Sequence, residues 1–333
     1  MQKFLVIQTA FIGDVVLATA LVETLKFNFP DAAVDFLLRK GNESLLVNNP
    51  NIQQVIIWDK RKDKIKNLFT ILKKIRSNKY DKVINLQRYF STGILTAFSG
   101  AGETIGFDKN PLSFLFSKKV AHQFNIEQPR HEVERNNDLV KHFTRDKISR
   151  PKLYPSPADY ELVNKYQSKA YVSMTPSSVW FTKKYPGEKW IDLMDRFDPS
   201  LKIYLLGGKD NLEECETLSS KTKNRNVEVL AGKLSFLQSA ALMSGAIMNY
   251  TNDSAPLHFA SAVNAAVTAI FCSTIPAFGY TALSDISIIV ETREQLSCRP
   301  CGLHGHKKCP LGHFKCAYGI MTEQLLETIP IHT

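Results

Sequence analysis

GAIMNYTNDSAPLHFASAVNAAVTAIF, residues 245–271, is the stretch of sequence from which the fold follows most directly. The apolar runs at its two ends, 245–249 and 267–271, predict short buried strands. Between them, Asp253 or Ser254 can cap a helix, a proline stands in the first turn, and small residues continue along the helix. A strand, a turn, a helix and a second strand in this order indicate a parallel α/β domain.

The turn before this helix also has the properties of an anion site. Backbone N–H groups at a helix N-terminus lack partners within the helix, and the positive end of the helix dipole favours a negative charge. An ordinary capped helix without any ligand explains the same pattern, and spacing alone favours that plainer interpretation.

Length and composition limit the classes of protein. A chain of 333 residues is long enough for two domains, and its 44% hydrophobic and 22% charged residues are typical of a globular protein. No apolar run approaches the roughly 20 residues that a membrane-spanning helix needs. The N-terminal apolar run has no small-residue cleavage site, so we expect no signal peptide and a cytoplasmic location.

The net charge of +10 predicts an acidic partner. Basic residues concentrate in residues 60–82 and recur between 118 and 145. No zinc-finger, RRM or helix-turn-helix signature accompanies them, which argues against a nucleic acid. We expect peripheral contact with an anionic membrane surface or an acidic glycolipid, although a solvated helix face explains each cluster taken alone.

The first half of the chain alternates apolar runs with helical patterns, which predicts an open parallel sheet. Strands are predicted at residues 4–7, 34–38, 55–57 and 82–85. A helix is predicted over 14–29, ended by Pro30. Ligands of such sheets bind at the carboxyl ends of the strands, so the loop TAFIGD, residues 9–14, lies at the binding edge. It is not a G-x-G-x-x-G loop and the chain has no Walker loop, which argues against a nicotinamide or P-loop enzyme.

Three prolines in residues 146–157 interrupt the periodicity, and we place a domain boundary there, giving domains 1–150 and 151–333. The second half restarts the alternation, with strands predicted at 170–174, 203–206 and 227–230. The irregular apolar segment around Phe114 is interpreted as a core loop, with a patch for an acyl chain as the alternative.

Four segments in chain order carry a further signal: IQTAFIGDVVLAT (7–19), WFTKKYP (180–186), NDSAPLHFA (252–260) and CPLGHFKC (309–316). Together they resemble the motifs of the heptosyltransferase family, glycosyltransferase family 9. These bacterial enzymes pass heptose from ADP-heptose to growing lipopolysaccharide. IQTAFIGDVVLAT (7–19) is similar to the opening motif of the family, and WFTKKYP (180–186) to W-x-T-K-x-W-P. NDSAPLHFA (252–260) is similar to N-D-S-G-P-x-H-x-A, and CPLGHFKC (309–316) to a C-terminal C-P-x-G-H-x-x-C segment. Each match is weak alone, but their conjunction is specific.

The resemblance implies an α/β fold of GT-B architecture, with two Rossmann-like domains facing each other across a cleft. The first domain would bind the acceptor, and the second would bind the nucleotide sugar. The implied activity is an inverting, metal-independent transfer of heptose from ADP-heptose to the lipopolysaccharide inner core, without a cofactor. The acceptor would be a phosphorylated glycolipid, lipid A-Kdo or a heptosyl acceptor, met at the anionic inner leaflet.

On the acceptor side, the resemblance implies that Asp14 is the general base, with Thr9 and Gly13 beside it. A sugar hydroxyl needs a group such as a carboxylate to accept its proton as it attacks an anomeric carbon. An aspartate at this position is also a common helix cap, and without the resemblance capping would be the first interpretation.

On the donor side, the resemblance assigns the diphosphate to Lys183, with Thr182 in the same motif, and to Ser254 with the backbone of Ala255. A lysine suits the role because its ammonium is a point charge on a flexible stem. The family more often has glycine where Ala255 stands, and alanine there is unstrained only if its φ is negative.

The remaining site residues implied by the resemblance surround the sugar and the nucleotide. Asp253 is assigned to sugar hydroxyls, and the turn Gly207-Gly208 is expected near the nucleotide. His258 is interpreted as a buried histidine behind the site rather than a catalytic one.

Four cysteines near the C-terminus, at 298, 301, 309 and 316, stand among three histidines. A compact structural loop is the preferred interpretation and structural zinc the alternative, because only one C-x2-C pair is present. Cys215 and Cys272 are predicted to be core residues.

Three other functions stay open at this level. One is a related GT-B glycosyltransferase that uses another nucleotide sugar. A second is a non-catalytic protein that binds a glycolipid or nucleotide sugar, which would have no need of a base at Asp14. The third is a basic nucleic-acid-binding protein, which the missing recognition motifs disfavour.

Overall fold

The computed structural model describes residues 1–61, 63–145 and 147–329, and their packing forms two units. The first unit consists of Met1–Asn125 and Arg130–Tyr154. The second consists of Ile126–Pro129 and the described residues from Pro155 onward.

The first unit is built around one parallel sheet. Its elements are β1 (Lys3–Ile7), α1 (Ile12–Asn28), β2 (Ala33–Arg39), β3 (Gln54–Trp58), α2 (Lys64–Asn78), β4 (Lys82–Asn85), α3 (Phe90–Ala97), β5 (Glu103–Phe107), β6 (Lys118–Val120) and α4 (Glu132–Asp138). The strand order is β3-β2-β1-β4-β5-β6. β1 is central, because Ile7 pairs with Leu37 of β2 on one side and with Asn85 of β4 on the other. The direction of the strand order reverses between β1 and β4, so the loops after these strands flank the switch point at which such sheets bind ligands.

The second unit repeats this plan. Its elements are α5 (Pro157–Asn164), β7 (Tyr171–Thr175), α6 (Gly187–Arg196), β8 (Lys202–Leu205), α7 (Leu212–Lys221), β9 (Val227–Val229), α8 (Phe236–Ser244), β10 (Met248–Asn252), α9 (Ala255–Ala262), β11 (Val267–Phe271), β12 (Ser287–Glu291), α10 (Lys315–Tyr318) and α11 (Thr322–Leu326). The strand order is β12-β11-β10-β7-β8-β9. Its switch point lies between β7 and β10, where Thr175 pairs with Thr251.

Each unit has its own apolar core beneath the sheet. In the first, Leu5, Ile7, Leu37 and Val83 of the strands pack with Ile75 of α2. In the second, the core includes Trp190, Tyr250, Cys215 and Cys272, which confirms that these two cysteines are core residues. Two parallel six-stranded sheets with this order are the α/β, Rossmann-like architecture that the sequence predicted.

The segment after α4 is attached to α1. The backbone N–H of Ser149 donates to Thr24 Oγ1 at 3.1 Å, and that of Lys152 donates to Thr19 Oγ1 at 2.9 Å. The Tyr154 hydroxyl donates to Glu23 Oε1 at 2.8 Å. These bonds explain why the structure groups residues up to Tyr154 with the first unit, whereas the proline pattern placed the boundary near residue 150.

One apolar segment differs from its interpretation as a core loop. Phe116 is buried, but Phe114 is 72% exposed and Leu115 is 45% exposed. Of these three side chains, only that of Phe116, which packs on Gly106 of β5, is buried. Within the described residues, no helix is both long and apolar enough to span a membrane.

Candidate functional site

The loop after β1 places Asp14 in the first turn of α1. The backbone N–H of Phe11 donates to Asp14 Oδ2 at 3.1 Å, so this carboxylate caps the helix. Asp14 is half-buried, while Thr9 and Gly13 beside it are buried. The capping role is therefore seen in the structure, and the role as a general base stays a prediction.

Side chains from the carboxyl ends of β2 and β3 contact the loop that precedes α1. Lys60 Nζ donates to Thr9 Oγ1 at 2.8 Å and lies 4.6 Å from the centre of the Trp58 ring. The Arg39 guanidinium lies 5.1 Å from the centre of the Phe11 ring. Sequence reasoning missed these two cations as site residues, although both stand at the end of a predicted strand, where they face the binding edge.

The electrostatics of this edge are basic. Burial, together with the smaller effect of the nearby positive charge of Arg39, lowers the pKa of Lys60 to about 8. A lysine with a lowered pKa is poorly solvated, and an arriving anion would restore the stability of its charged form. The loop that carries Asp14 is thus bordered by groups suited to an acidic ligand.

In the second unit, Lys183 and Asp253 form a largely buried ion pair. Lys183 Nζ lies 2.6 Å from Asp253 Oδ2, and the two side chains are only 16% and 8% exposed. The Thr274 hydroxyl donates to the same carboxylate oxygen at 2.6 Å. The adjacent Lys184 points elsewhere and pairs with Glu214 at 3.0 Å, in a more exposed position. The structure therefore brings together two residues that the sequence assigned to different parts of the donor.

Asn252 fixes the loop that carries Lys183. Its side-chain oxygen accepts a hydrogen bond from the Tyr185 backbone N–H at 2.9 Å, and its side-chain nitrogen donates to the Pro176 carbonyl at 2.7 Å. Asn252 is fully buried at the end of β10. A buried amide that satisfies backbone groups on two sides of a loop holds that loop in one conformation. This explains the first residue of the NDSAPLHFA motif, to which the sequence alone gave no role.

Helix α9 begins two residues after Asp253 in the sequence. Ser254 is its N-cap residue, with extended backbone, and Ala255 is its first helical residue. Ala255 is not one of the described non-glycine residues that have a positive φ. Alanine is therefore unstrained at this position, where the motif that the sequence resembles usually has glycine. His258 is buried in the body of the helix, and its place behind the site stays a prediction.

The glycine turn after β8 contacts the turn after β9. The backbone N–H of Gly232, whose φ is +73°, donates to the Gly207 carbonyl at 2.9 Å. The Gly208 N–H donates to Asn211 Oδ1 at 3.1 Å, and a Cβ at position 207 would lie 2.9 Å from the Asn211 Cβ. Gly207 is thus required by the close approach of Asn211. Because β8 neighbours β7, this turn lies on the same edge of the sheet as the loop of Lys183.

The C-terminal cysteines are free thiols. In residues 1–61, 63–145 and 147–329, no group of three or more histidine, cysteine or acidic side chains is arranged to hold a metal ion. Burial raises the pKa of Cys316 to about 11, so this thiol is protonated near neutral pH.

Comparison with known proteins gives one family. The sequence profile of glycosyltransferase family 9 (heptosyltransferase) matches residues 68–311. The chain is similar to lipopolysaccharide heptosyltransferase 3 of Escherichia coli, with 28% identity over 278 residues that cover 79% of this chain and 82% of the relative.

Solved structures share the fold. The glycosyl transferase family 9 structure from Veillonella parvula has a TM-score of 0.82 at 21% identity, covering 98% of this chain and 96% of the other. E. coli ADP-heptose lps heptosyltransferase II has a TM-score of 0.80 at 19% identity, covering 98% of this chain and 97% of the other. The profile match and both folds agree with the resemblance seen in the motifs.

Proposed function

This chain belongs to glycosyltransferase family 9, and we propose that this glycosyltransferase moves heptose from ADP-heptose to the inner core of lipopolysaccharide. The acceptor would be lipid A-Kdo or a heptosyl acceptor. The names of its relatives support the sugar, since one is a lipopolysaccharide heptosyltransferase and another an ADP-heptose heptosyltransferase.

The observation that carries the proposal is the Lys183–Asp253 pair at the switch point of the second unit. A nucleoside diphosphate sugar offers two chemistries at its centre, the negative charge of the diphosphate and the hydroxyl groups of the sugar. An ammonium binds the first and a carboxylate accepts hydrogen bonds from the second. The N-terminus of α9, beginning two residues after Asp253, adds backbone N–H groups and a favourable dipole for phosphate.

Lys183 need not leave Asp253 when the donor binds. Its ammonium has three N–H donors, and one hydrogen bond to Asp253 leaves capacity for phosphate oxygens. Asp253 would hold the ammonium of Lys183 in place before the donor arrives. The hydroxyl group of Ser254 lies on the same turn and would contact the diphosphate, while the Gly207-Gly208 turn would lie near the nucleotide.

In the proposed reaction, the oxygen of the acceptor hydroxyl attacks the anomeric carbon of heptose while Asp14 accepts the proton of that hydroxyl. The bond from that carbon to the ADP oxygen breaks on the opposite face, so the configuration is inverted. Negative charge develops on the departing diphosphate, where Lys183 and the α9 N-terminus would stabilise it. Preorganised charges and dipoles of this kind are usually the largest contribution to catalysis.

The first unit would bind the acceptor. Lys60 and Arg39 border the loop of Thr9, Gly13 and Asp14, and they favour an acceptor with phosphate or carboxylate groups. An anion bound there would offset the solvation that the Lys60 ammonium loses on burial. It would also bring the acceptor sugar toward the first turn of α1.

The surface of α2 supports peripheral contact with the anionic inner leaflet. Its buried side, which includes Ile71 and Ile75, packs on the sheet. On its other side, Ile65 and Phe69 are 73% and 60% exposed and lie one turn apart. Exposed lysines border this pair, so the face combines apolar side chains with positive charge. That combination is typical of helices that lie at a membrane surface.

Calorimetric titration tests the donor assignment. ADP-heptose, ADP, UDP-glucose and GDP-mannose are titrated into the wild-type chain and into Lys183→Ala, with Lys184→Ala as the matched control. We expect tight binding of the adenine compounds alone, weakened by Lys183→Ala and unaffected by Lys184→Ala. Binding of UDP-glucose or GDP-mannose instead would contradict the assignment of ADP-heptose as the donor. If ADP binds equally well to Lys183→Ala and Lys184→Ala, Lys183 is not part of the donor site.

A further inference from the structure

One turn of the C-terminal cysteine segment, residues 298–316, is bonded to the residue that precedes Lys183. The Thr182 backbone N–H donates to the His306 carbonyl at 3.1 Å, and the His306 N–H donates to Thr182 Oγ1 at 2.8 Å. Thr182 is 1% exposed. The backbone N–H and the side-chain oxygen of this buried residue are therefore both bonded to a segment more than a hundred positions later in the sequence.

The glycine before His306 leaves no space beside Lys183. Gly305 has φ of +76°, and a Cβ there would lie 2.8 Å from Thr182 Oγ1 and 3.1 Å from Lys183 Cγ. The backbone of Gly305 thus lies directly against the stem of the lysine. Only glycine satisfies both the positive φ and the close approach.

The start of this segment is bonded to residues 272–274, the loop after β11, which in turn is bonded to Asp253. The Arg299 guanidinium donates to the carbonyls of Cys272 and Thr274 at 2.9 and 2.8 Å, and the Cys301 N–H donates to the Ser273 carbonyl at 2.8 Å. From this loop, the Ser273 hydroxyl donates to Thr182 Oγ1 at 3.1 Å. Thr274 of the same loop donates to Asp253. The segment is therefore part of one polar framework that includes both members of the ion pair.

We propose that the turn formed by Gly305 and His306 is a positioning element for Lys183. It confines the stem of the lysine from one side, while Asp253 orients the ammonium at the other end. A free lysine side chain loses much rotational freedom when it binds, and a stem that is already confined loses less. The inference rests on the proposed role of Lys183 in binding the donor diphosphate.

A pair of glycine variants separates this role from a general effect on the segment. Gly312 has φ of +73°, and a Cβ there would meet nothing within 4 Å, so Gly312→Ala carries the backbone strain without the contact. Gly305→Ala carries both. The probes are ADP and adenosine, because only ADP reaches the lysine with a phosphate.

We expect Gly305→Ala to weaken ADP binding by about tenfold or more, as for a lost charge-assisted hydrogen bond. Adenosine affinity should stay at the wild-type value in both variants, and ADP affinity should stay there in Gly312→Ala. Thr182→Ser, which keeps the hydroxyl that His306 and Ser273 bond, should bind ADP closer to wild type than Thr182→Val.

Equal loss of ADP affinity in the two glycine variants would overturn the proposal, as would parallel losses for ADP and adenosine. Lys183→Ala distinguishes this failure from failure of the donor assignment. If Lys183→Ala weakens ADP binding and Gly305→Ala does not, the positioning role is wrong while the donor role stands. If Lys183→Ala has no effect on ADP, the donor role is wrong as well.

Discussion

Removing the charge of Lys183 is expected to destabilise the second unit, because Asp253 would be left buried without its cation. Lys183→Met keeps the volume of the stem against Gly305 and removes only the ammonium. Asp253 is 8% exposed, and of the two side-chain partners that the structure describes for it, only the hydrogen bond from Thr274 would remain. Breaking a buried ion pair on one side costs about 3–5 kcal/mol. For a unit of this size that corresponds to a decrease of roughly 6–20 °C in Tm.

A second substitution shows whether the loss of stability comes from the broken Lys183–Asp253 pair. Lys183→Met with Asp253→Asn leaves a neutral pair that still accepts a hydrogen bond from Thr274, so the double variant should recover most of the lost stability. Lys184→Met is the matched control, since its partially exposed pair with Glu214 contributes at most about 1 kcal/mol. Scanning calorimetry of wild type, Lys183→Met, Asp253→Asn and the double variant measures the coupling energy between the two side chains. Additive losses within about 0.5 kcal/mol would refute the buried pair as a coupled unit.

Two further predictions concern the first unit. Replacing Ile65 and Phe69 by serine should lower sedimentation with vesicles containing anionic lipid roughly tenfold or more, because each buried apolar side chain contributes about 1.5–3 kcal/mol. Leu311→Ser, which removes another exposed apolar side chain, should bind like wild type, and an equal loss in that control would contradict the role of α2. Folding lowers the pKa of Lys60 from 10.5 to about 8, so between these values the unfolded chain binds more protons and stability rises with pH. Denaturation of wild type and Lys60→Met from pH 7 to 10.5 should show this gain only in wild type, and a constant difference between them would contradict it.

Much of the fold follows from local sequence. The strand predicted at 267–271 has these bounds in the structure, and the helix predicted over 14–29 is observed as Ile12–Asn28. Long buried runs with clear ends give such predictions their strength. The strands β5, β6 and β12 were not predicted. β6 and β12 are edge strands with partly exposed residues, which weakens the apolar signal.

The site was predictable only in part. The motifs assigned Lys183 and Asp253 to two parts of the donor, but their direct contact depends on the loop conformation that Asn252 fixes. Contacts between distant segments, such as that of Gly305 with Thr182, have no periodic signature in the sequence. The attachment of residues 149–152 to α1 was likewise hidden, because it uses backbone N–H groups that every residue except proline provides.

The central claim is that Asp14 removes the acceptor proton while the second unit independently holds the donor, and Asp14→Asn tests it most directly. Asparagine can still accept the hydrogen bond from the Phe11 N–H that caps α1, so the fold should be retained. The measurement is the single-turnover rate of heptose transfer from ADP-heptose, together with the Kd for ADP on the same protein. We predict a rate lower by about 10²–10⁴, the usual contribution of a general base, with an unchanged Kd. A wild-type rate, or a loss of ADP binding in parallel with the rate, would contradict the account.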